Sequence, residues 1–290
     1  ERWARRRQRY VSQAQRARRA KPRPLTGWKA LGAFVLALLP VLFGFIFPAL
    51  YLADAAIARL RFAGIPADLF AQIMNTVVMA GIATFVAVVI GFVLAYSQRL
   101  TRAPASDAAM RVASLGYAVP GTVLAIGLLA PLFALDNALA DALEHVFGIS
   151  VGLILSGSGA ALVYAYVVRF LAISSGGVES GFAKLSPSLD HAARVLGETA
   201  MGTMRRVHLP LLRPALGAAA LLVFVDCMKE LPATLLLRPL NFETLATHLY
   251  GEAVRGTYED GSIAALCIVL VGLAPVMLLA SLSRRPALAY

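Results

Sequence analysis

The sequence is poor in charge, in cysteine and in catalytic motifs. Charged residues make up 15% of its 290 residues, whereas about a quarter is usual in soluble domains. The two cysteines, Cys227 and Cys267, lie in hydrophobic surroundings without CxxC spacing, so we interpret them as buried apolar residues. The chain has no GxxxxGKS/T phosphate loop and no HExxH or GxSxG pattern. This excludes ATP hydrolysis by the P-loop route, and nothing in the chain indicates an enzyme.

Hydrophobic runs of membrane-spanning length are abundant instead. Six of them approach the roughly 20 residues that cross a hydrocarbon core of about 30 Å. They predict an all-α polytopic membrane protein with six transmembrane helices, at 30–52, 73–96, 112–135, 149–173, 214–231 and 262–282. The fourth run contains small residues that would let helices approach closely: Gly152, Ser156, Gly157, Ser158 and Gly159. We therefore expect a six-helix membrane domain over 30–290, preceded by a polar segment, 1–29.

The basic residues indicate how these spans are oriented. With the N-terminus in the cytosol, 22 of the 27 Lys and Arg residues fall in segments on the inner side of the membrane, as the positive-inside rule requires. Both termini and the loop 174–212 are then cytosolic. Segment 1–29 is read as a cytosolic segment that touches anionic lipid, or as a linker from a preceding half of a longer protein. It carries no aromatic-interleaved fold, so we expect no nucleic-acid partner.

The cytosolic loop contains a short helical pattern of its own. An apolar stripe at i, i+3, i+4 and i+7 predicts an amphipathic helix, formed by Leu189, Ala192, Ala193 and Leu196. Gly197 follows, and glycine is typical just past a helix end. The pair Leu209–Pro210 then predicts a stop before the next hydrophobic run. A helix, a glycine bend and a proline stop in a basic loop indicate a docking surface for a cytosolic protein.

This loop resembles the EAA loop of ABC importer permeases. The family pattern is E-A-A, three residues, G, nine residues, I, one residue and L-P, and the spacing here matches it throughout. Val207 stands at the isoleucine position, and the departure that matters is His191, which occupies the position of the glutamate. Asp190 adjoins it, about 100° round a helix. The resemblance implies that the loop sits in a cleft of a cytosolic ATPase, with coupling residues Asp190, His191, Ala192, Ala193, Gly197, Leu209 and Pro210.

A second run, 225–250, resembles the permeases of bacterial ferric-iron importers, which are often fused twelve-span proteins. This resemblance implies a type I ABC importer permease fold and transport of ferric iron by alternating access. It also implies three partners: a cytosolic ATPase dimer, an external solute-binding protein and a second six-span half. ATP and Mg would be held by the ATPase, and this chain would carry no cofactor. Permeases for thiamine, sulfate, molybdate and polyamines share the EAA loop, so these substrates remain open.

Three charged residues lie in the fifth predicted span: Asp226, Lys229 and Glu230. Charges inside a span cost roughly 2.5–3.5 kcal/mol each on insertion scales, so they mark pathways or partners. Their spacing places all three on one helix face. Asp226 would lie about 20 Å into the span, some two-thirds of the way across, and Pro232 would end the helix. A structural ion pair and a set of carboxylate ligands for a hard cation both remain open, and no metal site can be assigned.

Carboxylates within a span also permit an ion-coupled secondary transporter, in which ion ligands lie near the membrane midplane. In that case the match to the EAA spacing would be a coincidence. An intramembrane enzyme or a passive scaffold would show no dependence on ATP. Copurification of an ATPase separates the importer from these alternatives.

Overall fold

The computed structural model describes residues 24–101 and 103–283, and every regular element within them is helical. The all-α prediction is therefore confirmed. The chain divides into two compact units, Glu1–Ala49 and Leu50–Tyr290. The elements, numbered along the chain, are α1 Trp28–Val41, α2 Phe47–Ala63, α3 Leu69–Thr101, α4 Pro104–Leu115, α5 Gly121–Phe147, α6 Ala160–Ala183, α7 Ser188–Val195, α8 Ala200–Met228, α9 Pro232–Leu237, α10 Leu245–Arg255 and α11 Tyr258–Ser283.

Five helical stretches in the described residues are long and apolar enough to cross a membrane: Trp28–Ala63, Leu69–Thr101, Gly121–Phe147, Ala160–Ala183 and Ala200–Met228. Each overlaps one of the predicted spans. The sixth predicted span, 262–282, lies within α11, a helix of 26 residues. In the first unit, α1 buries none of its residues, and Trp28 and Leu36 are 87% and 71% exposed. Such an apolar surface is suited to a hydrocarbon environment.

The prediction for the fourth span is wrong at its start. Residues 148–159 form a loop, so the glycines and serines at 152–159 do not lie in a membrane helix. Gly148 caps α5 in the left-handed conformation, and its N–H donates to the Glu144 carbonyl at 2.9 Å. The buried carboxylate of Asp136 then accepts the N–H groups of Leu155 and Ser156 at 2.6 and 2.9 Å. These bonds hold the loop, and the helix begins at Ala160.

The predicted third and fifth spans differ in another way. The third is interrupted, because α4 ends at Leu115 and α5 begins at Gly121. The fifth begins earlier than predicted, since Pro210 lies within α8 and does not stop it. A proline ring clashes with the carbonyl four residues earlier, here that of Arg206, which belongs to a π-helical turn, Met204–His208. The wider turn accommodates the ring.

The same arrangement occurs between α1 and α2. A π-helical turn, Leu42–Ile46, stands two residues before Pro48. The carbonyl that the Pro48 ring would meet belongs to Gly44, inside this turn. In both stretches the helix continues through a proline because the turn before it has widened.

Helix α6 is the centre of the second unit and packs between α3 and α8. Small residues allow these contacts. A Cβ on Gly181 would lie 2.7 Å from the Ala215 Cβ, and one on Gly177 would lie 3.0 Å from the Ala219 Cβ. On the other side the Ser174 hydroxyl donates to the Ala87 carbonyl at 2.7 Å. The sequence pattern predicts that the glycines of 152–159 allow close approach of helices. Gly177 and Gly181, which lie later in the chain and within α6, have this role instead.

We expect Gly181→Ala to destabilise the protein by about 1–3 kcal/mol, because the added methyl group overlaps Ala215 and Leu212. Gly176→Ala is the matched control, since a Cβ there meets nothing within 4 Å. Thermal unfolding of both variants in detergent measures the difference. Equal midpoints for the two variants would contradict the packing described here.

Candidate functional sites

The short helix predicted in the EAA-like loop is present as α7, and it ends as the sequence indicates. Gly197 adopts the left-handed conformation, with φ of 81°. Its N–H donates to the Arg194 carbonyl at 3.0 Å, and the Glu198 N–H donates to the Ala193 carbonyl at 2.9 Å. These two bonds form a glycine C-cap. A Cβ on Gly197 would meet nothing within 4 Å, so the position requires glycine for its backbone angle alone.

The apolar stripe of α7 does not face one way. Ala193 is buried, whereas Ala192 and Leu196 are exposed. Val195 and Leu196 project most, at 87% and 82% exposure, and Met201 beyond the glycine is also exposed. We call Val195, Leu196 and Met201 the apolar ridge. An exposed apolar group of this kind in a basic loop is typical of a protein contact.

Asp190 faces the membrane helices. Its Oδ2 accepts hydrogen bonds from Arg99 Nη2 and Nε at 2.6 and 3.1 Å, and its Oδ1 lies 2.7 Å from Nε2 of His208. Arg99 belongs to the last turn of α3 and His208 to α8, so the Arg99–Asp190–His208 cluster ties α7 to two long helices. Arg99 Nη1 also donates to the Phe182 carbonyl at 3.1 Å, near the end of α6.

His208 is fully buried within this cluster. Its ring lies edge-on to the rings of Tyr96 and Phe182, with centroid distances of 5.8 and 5.6 Å. No local pattern indicates this environment, because Arg99 is 91 residues from Asp190 and His208 follows a segment whose sequence is typical of a loop.

The cluster shows whether Asp190 can replace the glutamate that is missing from the EAA pattern. Asp190 is committed to Arg99 and His208 and is not free to replace that glutamate on the outer surface of the loop. His191, the residue at the glutamate position, is exposed. Leu209 and Pro210 are exposed on α8, directly after the π-helical turn. The coupling role of the seven predicted residues stays a prediction; they lie on two elements, α7 with its cap and the start of α8.

The charged group of the fifth span is only partly as predicted. Lys229 Nζ lies 2.7 Å from Asp226 Oδ1, which is the expected i, i+3 pair. Helix α8 ends at Met228, however, so Glu230 does not share that face. Glu230 is buried, and its Oε2 lies 3.1 Å from Nε of Arg169 on α6. Pro232 begins α9 and does not end α8.

Arg169 was missed because the fourth span was placed about ten residues too early, which put this residue near the inner end of the predicted span. It is the tenth residue of α6, about 14 Å along a helix of 24 residues. It therefore lies near the middle of the span. The contacts of Gly177 with Ala219 and of Gly181 with Ala215 set α6 and α8 antiparallel. They place Asp226 beside the middle of α6, less far across than predicted.

A polar cavity of about 580 Å³ lies between the start of α3 and the segment that follows α9. Asn75 Nδ2 donates to the Glu243 carbonyl at 2.9 Å, and Arg238 donates to the Phe242 carbonyl at 3.0 Å and to Glu243 Oε1 at 3.2 Å. These bonds shape its walls, which also include Asp68, Gln72, Leu240 and Asn241. Among the described residues, no group of three or more His, Cys, Asp or Glu side chains is placed to hold a metal ion.

Comparison with protein families agrees with this geometry. Residues 87–285 match the model of the family described as "Binding-protein-dependent transport system inner membrane component". The chain belongs to this family of permeases. The matched region contains α7, the Arg99–Asp190–His208 cluster and both ion pairs of the membrane helices.

Two curated relatives show the range of named substrates. The Fe(3+)-transport system permease protein FbpB 2 of Haemophilus influenzae is 26% identical over 220 residues, covering 76% of this chain and 40% of that protein. The chain thus spans less than half the length of this relative. A probable molybdenum ABC transporter permease protein of Haloferax volcanii is 28% identical over 243 residues, covering 79% of this chain and 85% of that protein.

A solved structure shows the same fold. The chain superimposes on a chain in the crystal structure of a bacterial alginate ABC transporter in complex with alginate pentasaccharide-bound periplasmic protein. The TM-score is 0.68 at 16% identity, and the match covers 89% of this chain and 94% of that one. The predicted fold, that of a type I ABC importer permease, is therefore confirmed.

We expect Asp190→Ala to destabilise the protein by about 1–3 kcal/mol, because Arg99 and His208 lose their carboxylate partner. His191→Ala is the control, since an exposed neighbour on the same helix changes stability by no more than about 0.5 kcal/mol. Thermal unfolding, with limited proteolysis of the loop 184–199, measures both effects. An Asp190 variant as stable and as protease-resistant as the control would contradict the anchoring role.

Proposed function

We propose that this chain is the transmembrane permease of a binding-protein-dependent ABC importer for ferric iron. Family membership supports the class of protein, a binding-protein-dependent permease. The observation that supports the mechanism is the position of helix α7. This helix presents the exposed apolar ridge on one side and is anchored to the membrane helices by Asp190 on the other. A helix anchored in this way can transmit the movement of a cytosolic partner bound to its apolar ridge to the membrane helices.

The partner on this surface is a separate cytosolic ATPase dimer, because the chain has no phosphate loop of its own. When ATP closes the dimer, α7 moves as a rigid body. The Arg99–Asp190–His208 cluster then moves α3 and α8 with it. Coupling requires that the two states of the permease contact the ATPase differently. In this proposal both termini and α7 lie on the cytosolic side.

Lys229 supports a second permease half. Its side chain is 63% exposed in the single chain, although Asp226 beside it lies next to the middle of α6. An ammonium group facing hydrocarbon at this depth is costly. The cost is avoided if this face of α8 lines a hydrated pathway shared with a second six-span half, fused or separate. The polar cavity at the opposite end of the spans from α7 is then the place where a solute-binding protein delivers its substrate.

The choice of iron rests on the ferric-transport relative and on the resemblance of the run 225–250. Molybdate is the second candidate. It is favoured by the Haloferax volcanii relative, which matches over most of its length. An ion-coupled mechanism is less well supported, because the carboxylates of Asp226 and Glu230 are already paired with Lys229 and Arg169.

The test is ATP hydrolysis by the complete reconstituted complex, measured with its binding protein empty, loaded with ferric iron or loaded with molybdate. We expect stimulation by the iron-loaded protein alone. Stimulation by molybdate alone would replace iron with the second candidate. An intact, folded complex without any ATPase would contradict the importer itself.

We expect Leu196→Glu to reduce ATPase stimulation and transport by at least about tenfold, because a carboxylate on the apolar ridge must be desolvated on docking. Val146→Glu, an exposed apolar residue in the last turn of α5, is the control. Both variants should unfold at the wild-type temperature. Full transport by the Leu196 variant would exclude the ridge from the ATPase contact.

A further inference from the structure

Two helix breaks meet at the same height beside α6. The first break, residues 116–120, separates α4 from α5, and the second, residues 229–231, separates α8 from α9. A Cβ on Gly116 would overlap the Val168 carbonyl, so the first break lies directly on the backbone of α6. The second break approaches the same turn of α6 through Glu230. At both breaks the backbone therefore loses its helical hydrogen bonding near the middle of the membrane, next to Arg169.

Arg169 contacts both breaks. Its Nη1 donates to the Val119 carbonyl at 3.4 Å, in the first break, and its Nε lies 3.1 Å from Glu230 Oε2, in the second. The other carboxylate oxygen, Oε1, accepts the Ala233 N–H at 3.2 Å, in the first turn of α9. One ion pair thus connects α6, the chain leading into α5 and the start of α9.

The room for this pair is provided by Gly121, the first residue of α5. A Cβ there would come against Arg169 Nη1 and would lie 2.7 Å from Glu230 Oε1. Gly127 in the same helix has nothing within 4 Å of such a Cβ. The glycine at 121 is therefore needed by the pair, and the glycine at 127 is not.

We propose that Arg169 and Glu230 form a latch that holds both broken helices against α6 in one state of the transport cycle, and that the latch opens when the permease changes state. This inference rests on the proposed function and adds two positioning residues to it. A buried ion pair is weak evidence for stability, because desolvation offsets most of its attraction. Here the Nε contact is not aligned as a hydrogen bond, so the pair is imperfect. Breaks without helical hydrogen bonds are suited to act as hinges.

A static brace is the competing interpretation, and the two differ in what they do to ATP hydrolysis. Loosening a latch raises the free energy of the latched state relative to the other state, so the ATPase cycles without a loaded binding protein. Loosening a brace lowers the unfolding temperature, and transport and ATP hydrolysis fall together. The ratio of unstimulated to stimulated ATPase rates separates them.

The test compares Gly121→Ala with Gly127→Ala in the complete reconstituted complex. We expect Gly121→Ala to raise the unstimulated rate about fivefold or more and to reduce transport. Its unfolding temperature falls as well, because the added methyl group displaces a buried ion pair, so the ATPase rates decide between the latch and the brace. Gly127→Ala should behave as wild type. Glu230→Gln should act in the same direction as Gly121→Ala. The exchanged pair Arg169→Glu with Glu230→Arg should restore part of the coupling, because it re-forms the ion pair but not the bonds to the Val119 carbonyl and the Ala233 N–H. Parallel loss of transport and ATPase with a lower unfolding temperature would overturn the latch.

A second readout does not depend on the ATPase. Spin labels on Val123, at the start of α5, and Tyr164, on α6, are both exposed sites, and their separation reports the position of the first break. We expect Gly121→Ala to shift or widen this distance distribution, and Gly127→Ala to leave it unchanged. Identical distributions would overturn the latch. The importer proposal would fail in a different way: no loaded binding protein would stimulate ATP hydrolysis by the wild-type complex.

Discussion

The structure depends on one constraint: a carboxylate buried among membrane helices must be paired. Two buried carboxylates, and a partly buried one on the adjoining helix α7, meet it at three levels. Asp136 accepts two backbone N–H groups of the loop before α6, Glu230 meets Arg169 beside the middle of α6, and Asp190 binds Arg99 near the end of α6. Each pairing joins segments that are distant in sequence. Since an unpaired buried charge is strongly destabilising, these contacts fix where the loop, the helix breaks and α7 lie relative to α6.

Local signals in the sequence were sufficient for local features. The C-cap at Gly197 depends on the backbone of a few residues, and the Asp226–Lys229 pair depends on helical spacing alone. Hydropathy located five of the membrane helices, because the thickness of the bilayer sets their length. These features follow from rules that act over one or two helical turns, so no knowledge of the tertiary packing was needed.

The features that were missed all depend on long-range contacts. Residues 148–159 are apolar enough to read as part of a span, and only the bonds to Asp136 reveal a loop. That error moved Arg169 from the middle of the span to its inner end and concealed its pairing with Glu230. The burial of His208 likewise depends on Asp190 and on two aromatic rings from other helices. Hydropathy assigns each residue by its neighbours in sequence, so it cannot detect partners tens of residues away.

The charges near mid-membrane also bear on selectivity. Arg169 is matched by Glu230 and Lys229 by Asp226, so this group of four carries no net charge. A neutral group favours neither a cation such as ferric iron nor an anion such as molybdate by Coulomb attraction. In the described residues there is also no cluster suited to hold a metal. Discrimination between substrates would then fall to the delivering protein, and the permease would supply a gated path. This division suits a family whose transport depends on a binding protein.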